Sequence, residues 1–201
     1  EGTAAWLEAM GELLGTDHAS IAAAISTQKS AIRAALDNNP IDAKITLSGY
    51  EGSELLVARL LIESGAEVAY VGSACPKTEF SAVDADWLEA RGVSVKFRAS
   101  LEDDLIAMET FKPDLVIGTT PVVQKAKERA IPSLYFTNLI SARPLMGAAG
   151  AGSVAQVINS ALSNQPRMLT MEAFFEGVGD GPTSGVWTPE IIARTGVGGA
   201  S

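Results

Sequence analysis

The 201 residues carry 24 acidic against 15 basic side chains, a formal net charge of −9, and 47% of them are hydrophobic. This acidic balance argues against a nucleic acid or an anionic membrane as the main partner, and a single cysteine excludes an internal disulfide and fits a reducing compartment. No apolar run is long enough to cross a bilayer and no basic-then-apolar leader is present, so no membrane span and a cytoplasmic location are expected.

Residues 3–14 read as an amphipathic helix, with Thr3 as N-cap and Trp6, Met10, Leu13 and Leu14 along one face. Asp17 caps a second helix running to about Asp37, with Ile21, Ile25 and Ile32 as its apolar stripe. Asn38, Asn39 and Pro40 stop it, because proline cannot continue a helix and biases the residue before it away from helical geometry.

Five β-like runs then alternate with helices. The first is Ile45–Ser48, followed by a helix over 51–63 and Gly65 at its C′ position. Val68–Val71 is the second, and a loop holding Cys75 and Pro76 leads to a short helix over Asp84–Ala90. Val93–Phe97 is the third, where Val93, Val95 and Phe97 alternate with Ser94 and Lys96 as on an edge strand. Ser100 caps the next helix, with Asp103 as a short-armed capping-box partner. Leu115–Gly118 is continuously apolar and therefore central; Thr120 then caps a helix with Pro121 at its first position. Ser133–Phe136 is the fifth run. A long loop, Thr137–Gly150, precedes a helix over Ser153–Leu162, and a further helix spans Arg167–Phe175.

This pattern predicts an α/β chain: a doubly wound, Rossmann-like, parallel five-stranded sheet with helices on both faces, preceded by a helical segment. The expected units are a helical segment over 1–40, the Rossmann-like unit over 41–165, and a terminal helix with a flexible tail over 166–201. Residues 177–201, with seven glycines and two prolines, carry too little apolar periodicity for a packed element. A chain that opens at Glu1 directly into a helix signal is expected to be a domain of a longer polypeptide. With the strand order 3-2-1-4-5 usual for the class, the switch point falls between strands one and four. The loops Gly49–Ser53 and Thr119–Gln124 then face each other across a crevice.

Gly49, Tyr50 and Glu51 open the helix after strand one, so their turn is a candidate for binding an anion through backbone N–H groups. The run lacks the dinucleotide Gly-x-Gly-x-x-Gly pattern, and Glu51 in its mouth would repel phosphate. Thr119, Thr120, Thr137 and Asn138 cluster at the ends of strands four and five, as loop caps or as a neutral hydrogen-bonding wall for a ligand. Arg143 could hold a ligand carboxylate in a bidentate pair, or make a salt bridge with the acidic surface. Met146 opens a glycine- and alanine-rich stretch that would let a large flat group, or a partner subunit, approach the backbone. Cys75 is read as a small hydrophobe unless His18 folds over to it. One Cys and one His cannot supply a cluster's four thiolates, so no metal site is expected, and no catalytic residue is assigned. Trp6, Met10, Met168, Met171, Phe174 and Phe175 are candidates for an apolar interface or for plain core.

The stretches 47–60, 118–127 and 135–147, above all the Thr-Asn-Leu-Ile-Ser-Ala-Arg-Pro run at 137–144, resemble the nitrogenase-like reductases. Within them the likeness is to the Y-type subunits of chlorophyllide a reductases, of the dark-operative tetrapyrrole reductase kind. The resemblance implies an electron-transfer and substrate-reduction component, an oxidoreductase dependent on ferredoxin and ATP. In that family an ATP-hydrolysing iron–sulfur protein feeds a heteromer of Y- and Z-type subunits, whose 4Fe–4S cluster relays electrons to ring B of chlorophyllide a in bacteriochlorophyll synthesis. The family's cluster cysteines belong to an amino-terminal portion without counterpart in these residues, so this piece is expected to carry no cofactor and to be inactive alone. Relatives with a metallocofactor use a His after the last strand, where Thr137 and Asn138 stand here. The alternatives are a stand-alone α/β module for a small anion or sugar nucleotide at Gly49–Gly52, or a structural domain for heteromer assembly.

Overall fold

The computed structural model describes residues 2–141 and 146–174, the last four by their backbone. Two helices, α1 (Gly2–Leu13) and α2 (His18–Asp37), precede β1 (Lys44–Gly49). There follow α3 (Glu54–Glu63), β2 (Glu67–Ser73), α4 (Glu79–Glu89), β3 (Ser94–Phe97), α5 (Leu101–Phe111), β4 (Leu115–Gly118) and α6 (Thr120–Glu128). The described chain ends with β5 (Ser133–Tyr135), α7 (Phe136–Ser141), α8 (Gly147–Leu162) and α9 (Gln165–Phe174). The five strands form one sheet in the order β3-β2-β1-β4-β5, as expected for the class. Every pairing is parallel, and β1 and β4 meet in the register Ile45 to Leu115 and Leu47 to Ile117.

Alternation along the strands divides the core between the two faces. Ile45, Leu47, Leu115 and Ile117 pack with Leu55, Ala58 and Leu61 of α3, Leu88 of α4, Leu139 of α7 and Val154 and Ile158 of α8. On the opposite face Val116 meets Met108 of α5 and Val122 and Ala126 of α6. An ion pair between Arg59 and Asp84 ties α3 to α4, and the Arg59 guanidinium lies 4.6 Å from the centre of the Trp87 ring. On the first face α8 packs on α2, and α2 on α1.

Local signals explain most boundaries. Asp17 accepts a hydrogen bond from the Ser20 N–H at 2.9 Å, and Ser100 and Asp103 form the reciprocal box expected of them. Several boundaries differ from expectation: the helix expected from 51 begins at Glu54, after the turn that follows β1, and the fifth strand ends at Tyr135, with Phe136 opening α7. Thr3 lies inside α1 and does not cap it; its hydroxyl instead accepts from the N–H of Gly147, the first residue of α8, at 3.3 Å. The helix expected from 84 starts at Glu79, because Thr78 and Ser81 build a second capping box. Thr119, one residue earlier than expected, is the N-cap of α6. The long loop after β5 is largely helix: α7 follows β5 directly, and α8 starts at Gly147 rather than Ser153. Its small residues allow close packing, since a Cβ on Gly152 would sit 3.5 Å from that of Ala35 in α2.

The expected apolar faces of the first two helices are only partly used. Ile21 is buried and Ile25 and Ile32 are half-buried, whereas α1 buries none of its residues and leaves Trp6 53% and Leu13 78% exposed. Met168 is half-buried on α9; the side chains of Met171 and Phe174, and all of Phe175, lie outside the described residues.

Gly72 in β2 backs directly onto a buried polar pair, and a Cβ there would fall 2.3 Å from Asp104 Oδ1 and 2.6 Å from the Tyr70 hydroxyl. Gly72→Ala is therefore expected to cost about 1–3 kcal/mol, the usual range for overpacking. Urea denaturation checks this, and Gly72→Ala combined with Asp104→Ala should cost less than the sum of the single changes.

Candidate functional site

The carboxyl ends of β1, β4 and β5 open onto a cavity of about 340 Å³. Its lining is Tyr50, Gly118, Thr119, Thr120, Tyr135, Thr137 and Asn138. This is the crevice where the loops after strands one and four part, as the strand order requires. The Tyr50 and Thr137 hydroxyls are 3.2 Å apart, joining the turn after β1 to the first turn of α7. Thr119 caps α6 through its backbone geometry alone, its side chain making no capping bond. Among the described residues, none that lines the cavity carries a formal charge. Threonine, tyrosine and asparagine each donate and accept, so the wall can meet either kind of polar group.

Five of the nine candidate residues, Tyr50, Thr119, Thr120, Thr137 and Asn138, thus come together on one cavity, and Gly118 and Tyr135 join them. Four do not. Gly49 is buried behind the wall, wedged so that a Cβ would lie 2.5 Å from Glu54 Oε1 and 2.8 Å from Phe136 Cδ1. Glu51 is exposed and, like the exposed Met146 ahead of α8, is absent from the lining. Arg143 lies outside the described residues.

The residue missed by sequence reasoning is Glu54. It is 0% exposed; its Oε1 accepts from the Glu51 and Gly52 N–H groups at 2.7 and 3.2 Å, and its Oε2 from the Ser73 hydroxyl at 2.9 Å. Two of the N–H groups proposed for an outside anion, those of Glu51 and Gly52, are therefore engaged by the chain's own carboxyl group. The available signal was an acidic residue in the first helical turn immediately after the Gly49–Gly52 turn, a placement that ordinary helix-dipole preference also explains.

On the opposite face of β1, the Tyr70 hydroxyl donates to Asp104 Oδ1 at 2.9 Å, and the buried Ser48 hydroxyl lies beside them. Burial pushes the Asp104 carboxyl above its usual 3.8, and burial with the neighbouring Asp104 raises the Tyr70 hydroxyl. Cys75 directs its thiol at the Tyr50 carbonyl, 3.6 Å away, while His18 stands exposed in the first turn of α2. Among the described residues no group of three His, Cys, Asp or Glu side chains could hold a metal ion. With one cysteine in the chain, the residues present do not fit an iron–sulfur cluster.

The two adjacent acids on α5 predict opposite pH dependences. Asp104, with a raised folded pKa, keeps its proton in the fold after the unfolded chain has lost it, so stability falls as pH rises from 3.8 through the raised folded value. Asp103, held at about 2 by Lys96 and the Ser100 groups, contributes stability that is lost as pH falls from 3.8 toward that value. Thermal melts across this range should show Asp104→Asn flattening the first slope and Asp103→Asn the second.

Comparison with known proteins places this geometry. The family described as nitrogenase component 1 type oxidoreductase matches residues 1–163. The chlorophyllide reductase 52.5 kDa chain of Cereibacter sphaeroides is 67% identical over 187 residues, covering 93% of this chain and 37% of its own length. The chain of the same name from Rhodobacter capsulatus is 64% identical over 193 residues, covering 95% and 39%. This chain therefore spans less than two fifths of the curated relatives it matches. Among solved structures, nitrogenase Cp1 at pH 6.5 superimposes with a TM-score of 0.61 at 22% identity, over 82% of this chain and 38% of that one, a likeness of fold. Among the described residues no helix is long and apolar enough to cross a membrane. A parallel sheet of this order, matched over residues 1–163, leads to one assignment: the chain belongs to the nitrogenase component 1 type oxidoreductases.

Proposed function

We propose that this chain is a portion of the Y-type subunit of a chlorophyllide a reductase, and that its crevice receives one edge of the tetrapyrrole whose ring B is reduced in bacteriochlorophyll synthesis. The observation that carries the reading is the uncharged wall of hydroxyl and amide groups between two tyrosines, Tyr50 and Tyr135. Such a wall suits a flat, largely apolar macrocycle with a few carbonyl groups at its rim. Identity of 67% to a chlorophyllide reductase chain supports the substrate class.

The size of the cavity sets the extent of the contact. About 340 Å³ stands near the lower end of the roughly 300–1,000 Å³ usual for ligand pockets. A tetrapyrrole would be only partly enclosed here, and the rest of its cover would come from other portions of the subunit and from the Z-type partner. Electrons would reach it from a cluster held outside these residues, charged by an ATP-dependent iron–sulfur donor in the cytoplasm. Within this portion the residues would bind and orient: Thr119, Thr120, Thr137 and Asn138 as adaptable hydrogen-bonding groups, and Arg143, on its chemistry, as the partner of a ligand carboxylate. The anion-module alternative is disfavoured, because Glu54 already occupies the N–H groups it would need.

Thr120→Trp in the complete heteromer tests the crevice, since Thr120 is an exposed first helical residue and a large ring there would fill the mouth. Ring reduction is expected to fall by about tenfold or more, the scale of misplacing a substrate, with assembly and iron content unchanged. Reduction at the unaltered rate would remove the crevice from the site. Metal analysis of this chain alone should find no stoichiometric iron; one cluster per chain would overturn the placement of the cluster elsewhere.

A further inference from the structure

We infer that Glu54 is a positioning residue for the crevice: its buried carboxyl group sets the turn after β1 and so holds Tyr50 against Thr137 on the cavity wall. The kinetic consequence rests on the crevice being the substrate site; the structural one does not.

A carboxyl group at full burial is costly unless its oxygens are satisfied. Stability alone would be served by an apolar residue here, since Leu55, Val57, Ala58 and Leu61 of the same helix pack in the core. Helix capping alone would be served by Ser53, whose side chain makes no capping bond. Glu54 instead reaches back from the first position of α3 and collects three donors. Two of them are the N–H groups of Glu51 and Gly52, the residues directly after Tyr50; the third is the Ser73 hydroxyl at the end of β2. Ser73 in turn accepts from the Cys75 N–H at 3.3 Å, and the Cys75 thiol faces the Tyr50 carbonyl.

Gly49 separates the same side chain from the opposite wall. Gly49 is pressed between Glu54 and Phe136, and Phe136 opens the helix that carries Thr137 and Asn138. One buried side chain therefore sits at the root of both walls joined by the Tyr50–Thr137 contact. Tyr50 itself is 57% exposed, so little packing holds its ring in place; its backbone must be fixed from below.

The test uses the full-length subunit in its assembled heteromer, with Glu54→Gln, which keeps volume but weakens acceptance, and Ser73→Ala, which removes a single donor. Hydrogen exchange at the Glu51 and Gly52 amides is expected to accelerate about tenfold or more in Glu54→Gln, while β4 amides stay unchanged. KM for chlorophyllide a should rise about fivefold with kcat within about twofold, a split that marks lost positioning of binding groups. In a Tyr50→Phe background, Glu54→Gln should add less than about twofold, because the two act through one contact. Unchanged exchange at both amides, or multiplicative effects where Tyr50→Phe by itself raises KM, would overturn the inference. Should Glu54→Gln fail to assemble, Ser73→Ala carries the same comparisons, with a smaller acceleration expected at the same two amides and unchanged exchange overturning the role. Faster exchange together with kinetics indifferent to Tyr50→Phe would sink the substrate reading and leave the positioning role intact.

Discussion

The parallel pairing of β1 with β4 is the constraint from which the rest of the molecule follows. Both strands are buried along nearly their whole length, and their neighbours lie on opposite sides, β2 beyond β1 and β5 beyond β4. Right-handed crossovers must then leave β1 and β4 in opposite directions, so α3 and α6 begin apart and a gap opens between them. The cavity is that gap. Its position is set by topology, whereas its chemistry is set by the few residues that topology delivers to the two strand ends and to α7.

Two buried polar systems flank β1, one on each face, and they work differently. Glu54 is tied to a loop: its partners are turn amides and a strand-end hydroxyl, so its influence ends at the crevice wall. Asp104 is tied to the sheet: it accepts from Tyr70 within β2 and presses on Gly72, so its influence is on packing between α5 and the strands. The first shapes a surface that a ligand can touch. The second loads the core with a group whose protonation shifts stability, and the loss of a methyl group at Gly72 makes room for it.

Fold class was legible because apolar runs of strand length alternated with helices whose caps, Asp17 and Ser100, are local signals; the strand order was only the one usual for that class, and the location of the crevice followed from it. The polar wall was legible for the same reason: Thr119, Thr120, Thr137 and Asn138 follow strands, and strand ends in a parallel sheet converge. What escaped was decided at long range. Small residues at 147–152 look like loop until α2 is known to lie alongside, where they permit close helix packing. Thr3 has the chemistry of a cap, but its partner is an amide 144 positions away. Glu54 resembles any acidic residue at a helix start; its burial depends on Ser73 and Phe136, which neighbour it only in space.

The uncharged lining of the cavity has a consequence for how a ligand arrives. The chain carries a net charge of −9, yet among the described residues none in the lining offers a charge to attract or guide an anion inward. A carboxylate-bearing ligand such as the tetrapyrrole proposed above would approach this portion against a weak repulsive field, with hydrogen bonding, stacking and the pairing proposed for Arg143 taking hold only at close range. Added salt shortens the reach of that field, to about 8 Å at physiological ionic strength. Association at this wall would therefore quicken as ionic strength rises, the reverse of the behaviour of an electrostatically steered site.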